Sequence, residues 1–473
     1  MSTTLHDTSI LHDASTSPRR GGTTGARTAR LDGSEHGISR RFLSGTLLLI
    51  TSSLGCQLLA MAAVPVLTQL YSPADFGTLG VFLALFAPLS AIVGFKYENA
   101  IPLPRDDRDA IRLMIASAVI ILVFTGVVSL LVFLLGGVVA RTFRTPLLTN
   151  YLWILPWAVL FSGCHTTISF WNLRKRQFGS VASSRAAETV GRVVTECSLG
   201  LTSWQPFGLL AAQCLSKAYA ASVLTLQLPW QMLREQGFQW PAVWASAKSY
   251  RQFPLLAVPS TIVESIAASI PCLLLPILFG PVEAGLFLMA QRLLSWPISL
   301  FGHTISQVYY SELSCCDVSA AEKRRLFYRL SVLMATGSAM IGILFLTAPL
   351  WCGWILGDRW SSVGTIIAVL TPMLFGHLVV CPFNQVPYAY AKQNLLLHLN
   401  LARLILSVLV FTVGWAASLS ATSCIFAFSV TVFAISVIQW AMVKSLLRND
   451  LPSQANRVLP ETCLSNSDCG API

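Results

Sequence analysis

Twelve apolar stretches, each near the about 20 residues that a helix needs to cross a bilayer, divide the chain between residues 42 and 443. They run over about 42–69, 76–95, 113–140, 149–171, 183–202, 206–230, 253–279, 282–311, 326–350, 362–386, 393–417 and 421–443. A chain in hydrocarbon must satisfy its own backbone hydrogen bonds, and segments of this length do so as helices. Only 11% of the 473 residues are charged and 54% are hydrophobic, whereas soluble domains carry about 25% charged residues. The expected fold class is therefore all-α integral membrane.

The connections between stretches differ sharply in Lys and Arg. Counting alternate connections together with the tails, 25 of the 32 basic residues fall on one side and three, Arg141, Arg144 and Arg359, on the other. The positive-inside bias makes the rich side cytoplasmic and places both termini there. The same distribution removes nucleic acid as a partner despite the net charge of +11, because the basic residues form short runs that orient a membrane protein. Residues 1–41, rich in Ser, Thr, Gly and Arg, read as a disordered cytoplasmic tail, and 447–473 as a second tail. The twelve cysteines contain no C-x-x-C pair, so no metal site is expected.

One feature occurs twice. Leu70-Tyr71-Ser72-Pro73-Ala74-Asp75-Phe76-Gly77 superposes on Leu278 to Gly285 with a shift of 208 residues, matching Leu, Pro, acid and Gly. In each copy a proline occupies the first helical position and an acid the first turn, where the helix dipole favours it. With one inserted residue Pro88-Leu89-Ser90 then matches Pro297-Ile298-Ser299. The repeat implies two six-helix lobes, 42–230 and 253–446, joined by a cytoplasmic linker at 231–252. Six spans per half is an even number, so a pseudo-two-fold axis along the membrane normal is expected. Pro88 and Pro297 then occupy equivalent places and are candidate hinges.

A charge at mid-membrane costs about 2.5–3.5 kcal/mol on insertion scales, yet several are present. Glu188, Arg192 and Glu196 recur every fourth residue on one helix face, where the arginine can pair with either acid. Lys217 is expected at a similar depth on the next helix. Arg403 is about as far into the eleventh stretch as Arg192 is into the fifth, which makes them candidate equivalents facing one cavity. Arg292 and Glu264 add a cation and an acid in the eighth and seventh. Such charges can glue helices together or line a path; the surplus of cations favours a path for an anion. Arg292, Arg192, Arg403 and Lys217 are the candidate substrate-binding residues, and Glu264, Glu188 and Glu196 the candidate ion-coupling ones. Lys96 and Glu98 are expected at the membrane interface, where long side chains reach water. No lysine follows a glycine and no histidine precedes a glutamate, so phosphate-loop and zinc-protease signatures are absent, and the outer loops are short.

Leu70 to Gly77, followed by Ala91-Ile-Val-Gly-Phe-Lys-Tyr-Glu-Asn-Ala-Ile-Pro-Leu-Pro-Arg-Asp-Asp-Arg-Asp-Ala110, resembles the start of bacterial polysaccharide transporters, the Wzx-type flippases of lipid-linked oligosaccharides. Gly285 to Leu313 is similar to that family's eighth span, and Trp171 to Phe178 and Leu356 to Trp360 to its loop motifs. Arg292 stands at the family's A-Q-R position. Ser311 departs from it, since proline often precedes Glu312-Leu313, and the 41-residue tail is longer than usual. The resemblance implies the fold of the multidrug and oligosaccharidyl-lipid exporter superfamily and a bacterial inner-membrane, multi-pass location. The implied cargo is an undecaprenyl-diphosphate-linked oligosaccharide moved from the cytoplasmic to the periplasmic leaflet for surface polysaccharide (O-antigen or exopolysaccharide). No cofactor and no enzymatic activity are implied. Membrane lipid and other polysaccharide assembly proteins are the implied partners. A cation-coupled multidrug exporter and a membrane glycan polymerase are the alternatives.

Overall fold

The computed structural model describes residues 51–448 apart from 203, 238–239, 303–304, 307–308, 310–319 and 391. The N-terminal tail, nearly all of the C-terminal tail and Ser311 lie outside them. Among the described residues every regular element is helical. In chain order these are α1 (Thr51–Leu70), α2 (Pro73–Ile92), α3 (Asp107–Thr142), α4 (Ile154–Arg174), α5 (Phe178–Gly200), α6 (Phe207–Thr225), α7 (Trp230–Gly237), α8 (Trp240–Ser249), α9 (Gln252–Leu278), α10 (Pro281–Pro297), α11 (Ala320–Leu346), α12 (Ala348–Leu356), α13 (Ser361–Val380), α14 (Val386–Ala389), α15 (Gln393–Ala416) and α16 (Ala421–Arg448).

Each of the twelve apolar stretches contains one long helix. Among the described residues nine helices are long and apolar enough to cross a membrane: those at α1, α2, α3, α6, α9, α11, α13, α15 and α16. The other three fall short for visible reasons. α4 carries Ser162, His165, Thr166, Thr167 and Ser169, α5 carries the Glu-Arg-Glu row, and α10 ends after 17 residues at Pro297. The helix register then changes to a π-helix over Ile298–Gly302, one of the known causes of a kink. Pro88, by contrast, sits inside α2 with α-helix continuing to Ile92. The apolar side chains of α3 are largely exposed, Phe133 at 85%, as lipid contact requires.

The linker is itself helical. α7 and α8 pack on α3, where Val243 and Ala247 are buried beside Ala116.

The two copies of the repeat start their helices differently. Ser72 caps α2 through a capping box, its hydroxyl accepting from the Asp75 backbone while the Asp75 carboxylate accepts from the Ser72 N–H at 2.8 Å. α10 has no side-chain cap; Gly280 turns the chain at φ 99°, a conformation that glycine adopts without steric cost.

The copies also meet. α2 packs on α10, and the approach is reciprocal. A Cβ at Gly77 would overlap the carbonyl oxygen of Pro281, and one at Gly285 would overlap the carbonyl oxygen of Pro73 and come 2.8 Å from the Gly77 nitrogen. One turn on, a Cβ at Gly80 would come 3.7 Å from the Leu288 side chain, and 288 minus 80 is again the repeat shift. Contacts in which i meets j and j meets i are the mark of two-fold packing.

The remaining long motifs interlock in pairs. Near the start of α2, Trp360 is fully buried, donates its indole N–H to the Thr68 carbonyl at 2.9 Å and stands edge-on to Phe76 at 5.2 Å. At the other end, the Arg174 guanidinium donates to the carbonyls of Ile101, Pro102, Pro104 and Arg105 at 2.5–3.4 Å and pairs with Asp107 at 3.1 Å. Lys175 pairs with the same carboxylate and covers the Trp171 ring. These two cations hold the Asp107 carboxyl below its usual range, Lys175 being the larger influence. Glu98 does not reach water: it is 5% exposed and folds back over Gly94, which has no Cβ to obstruct it. Burial, against weaker help from a backbone hydrogen bond and Lys96, lifts its carboxyl above the usual carboxylate range. Arg174→Ala should cost about 2 kcal/mol, because charged donors to several loop carbonyls are lost together. Limited trypsin digestion of the purified protein in detergent should then cut at Arg105 and Arg108 faster than in the native protein.

Candidate functional site

The Glu188-Arg192-Glu196 row on α5 decides where the charges go. Both acids are held by cations from neighbouring helices. Lys217 on α6 reaches Glu188 at 2.6 Å, and Arg292 on α10 reaches the Oε2 atom of Glu196 at 3.1 Å. Arg192, between them, makes no hydrogen bond or ion pair among the described residues. The expected pairing of Arg192 with its own helix neighbours is thus replaced: Lys217 and Arg292 have taken the acids. Three cations against two acids leave one net positive charge.

The two ion pairs differ in surroundings. Lys217 and Glu188 are each about a quarter exposed, at 24% and 26%, whereas Glu196 is fully buried and its partner Arg292 is 18% exposed. An exposed pair contributes little; breaking a buried one costs about 3–5 kcal/mol, because the remaining charge is stranded.

Arg192 and Arg292 line one cavity of about 230 Å³ together with Gln57, Ala60, Met61 and Val64 of α1, Ser295 and Trp296 of α10, and Ser299 of the π-helix. Ser299 donates to Gln57 at 2.6 Å, tying the π-helix to α1. The indole N–H of Trp296 is buried without a partner. The wall therefore offers an unpaired guanidinium and a second guanidinium held through a single contact. Such a set suits an oxyanion.

Arg403 is not part of this wall. It lies on α15 within electrostatic reach of Glu264 on α9 and of His377 on α13, and its Nε is buried without a partner. Arg192 and Arg403 share a depth along the chain, but depth does not fix direction around a helix. The expected single cavity holding all four cations is therefore replaced by three arrangements: Arg192 with Arg292, Lys217 with Glu188, and Arg403 near Glu264. Sequence reasoning did not single out Gln57, Trp296 or Ser299. Gln57 is a lone amide in an apolar stretch, and Trp296 and Ser299 follow Arg292 by one and two turns; both signals stand in the sequence.

A family model described as "Polysaccharide biosynthesis protein" matches residues 66–365. The chain belongs to the polysaccharide biosynthesis protein family. Within that family's matched region fall the capping box, both copies of the repeat, Arg192, Arg292 and Trp360. This polysaccharide biosynthesis protein shares its fold with the lipid II flippase MurJ in an inward closed conformation (TM-score 0.64, 11% identity, 84% of this chain and 87% of that one). It is similar to a multidrug resistance MATE family transporter of the MOP superfamily, inward-facing (TM-score 0.63, 12% identity, 85% and 96%). An outward-facing MATE transporter superposes at a TM-score of 0.52 with 10% identity over 85% and 95% of the two chains. No match occurs among curated protein sequences.

Proposed function

We propose that the protein is a transporter that flips a lipid-linked oligosaccharide, carried on undecaprenyl diphosphate, from the cytoplasmic to the periplasmic leaflet of the bacterial inner membrane. The observation that carries this reading is Arg192, a cation without an ion pair among the described residues, in a cavity shared with Arg292. A charge kept unpaired among apolar helices costs free energy, and a ligand of opposite charge offsets that cost. The family supplies the sugar; the cavity supplies the anion. Membrane lipid surrounds the cargo's tail, and proteins that extend or export the glycan are the partners of this reading.

In this account twelve helices form two lobes, α1–α6 and α9–α16, with both termini cytoplasmic. The reciprocal Gly77–Gly285 contact supports the pseudo-two-fold axis. Pro88 and Pro297 are the hinges, and the change to π geometry beyond Pro297 supports a bend there. Glu264, near Arg403, is the acid through which an ion gradient acts. The fold is shared with a multidrug exporter, but a net positive cavity repels cationic drugs, so the anionic cargo is preferred.

Depleting the protein in its native host should abolish surface polysaccharide and leave radiolabelled lipid-linked oligosaccharide in the inner leaflet, beyond the reach of an externally added glycosidase. Labelled cargo that is cleaved from outside in depleted cells argues for the polymerase reading instead. Unchanged polysaccharide together with new drug sensitivity argues for the multidrug one.

A further inference from the structure

We propose that Glu196 is a resident counter-anion, and that the anionic group of the cargo takes its place on Arg292 and so unfastens α5 from α10. The inference rests on the anion-transport reading of this cavity and assigns the residue that governs entry.

Glu196 is fully buried, yet only one of its carboxylate oxygens is engaged. Oε2 accepts from Arg292, while Oε1 is buried with no donor. An ionised carboxylate in a protein interior ordinarily collects two or three donors, so this one is held by half of what would fix it. Arg292 carries five N–H groups in a planar fork, and one of them meets Glu196. Arg292 also lines the cavity, beside Arg192. A phosphate or diphosphate seated there can take two parallel bonds from Arg292, a geometry that guanidinium and phosphate share, and a further one from Arg192. The carboxylate offers none of these additional bonds. Exchange of Glu196 for the incoming anion is favoured on geometry.

Its consequence reaches across the molecule. The pair joins a helix of the first repeat to a helix of the second, 96 residues apart. Once Arg292 turns to the cargo, Glu196 is a buried charge with neither partner nor water, a state that is strongly unfavourable. Parting of α5 from α10 admits water and relieves it. A neutral molecule cannot displace the carboxylate, and a cation meets Arg192; only an anion releases the fastening. At about 230 Å³ the cavity is smaller than the roughly 300–1,000 Å³ of pockets that take drug-sized ligands, so in this state it admits a charged headgroup and not the whole glycan.

The test is binding of inorganic diphosphate to the full-length protein in nanodiscs of neutral lipid, by calorimetry. E196Q, which keeps the shape and removes the competing charge, should bind about tenfold tighter than the native protein, about 1.4 kcal/mol. E196D, with the charge one methylene further from Arg292, should fall between. Diphosphate should also speed hydrogen exchange in residues 188–198 of the native protein, which a purely structural Glu196 would not do. Equal or weaker binding by E196Q, with R192A still impaired, overturns the proposal and leaves the cavity reading standing. Unaltered binding in R192A overturns the cavity reading itself. If E196Q does not fold, E196D and the exchange experiment decide: no tightening and no faster exchange overturn the proposal. Competition by a prenyl diphosphate that displaces the inorganic ion assigns the lipid headgroup as the source of the anion; failure to compete assigns free diphosphate.

Discussion

Gly285→Ala should unseat α10 from α2 and cost more than about 3 kcal/mol, above the usual range for overpacking by a single methyl group. The ordinary escape from overpacking is rotation of a neighbouring side chain. Here the new methyl meets the Pro73 carbonyl and the Gly77 nitrogen, both backbone atoms of a helix start. The helix must move as a body. Gly77→Ala should behave alike, since its methyl meets the Pro281 carbonyl. Once one substitution has forced the helices apart, the second has less to disrupt, so the double variant should fall well short of the sum. Thermal denaturation of the purified protein in detergent measures all three. Gly137, whose Cβ would meet nothing within 4 Å, provides the control and should tolerate alanine.

The arginines of the cavity should separate binding from stability. Arg292→Ala strands the buried Glu196, which costs about 3–5 kcal/mol, and it removes one of the two cations offered to the cargo. Both stability and transport should fall. Arg192 has no ion pair among the described residues, and an unpaired charge among apolar helices is itself unfavourable, so Arg192→Ala should not lower stability while transport drops at least as far. Surface polysaccharide, normalised to the amount of protein in the membrane, measures the one, and denaturation the other. Equal destabilisation by both replacements would mean that Arg192 has a partner in the membrane and is no free docking group.

The helices were legible because each long apolar stretch leaves the backbone a single economical form in lipid. The helix starts at Pro73 and Pro281 were legible for a local reason, the fit of proline to the first helical position. Partnerships were not. Spacing of four places Glu188, Arg192 and Glu196 on one face and makes the mutual pairing attractive, but Lys217 and Arg292 approach the acids from outside the helix, and spacing says nothing of neighbours. That Arg403 stands apart from the wall holding Arg192 and Arg292 was not legible for a related reason: a residue count gives height along a helix and not the neighbours that a side chain meets. The burial of Glu98 was not legible because a charged residue beside a loop ordinarily reaches water, and the groove that Gly94 leaves for its carboxylate is visible only after folding. The linker's helices were missed because short amphipathic segments look like connections until something, here α3, accepts their apolar side.

The interlocked motifs bear on how such transporters diversify. Arg174 with the turn at 101–107, and Trp360 with Thr68 and Phe76, are rivets that keep the frame square, and they are the very stretches that make the chain recognisable as kin. Positions 57, 192 and 196 lie outside those stretches. A lineage could therefore retune the charge that the cavity offers at these positions while every recognisable signature stayed in place.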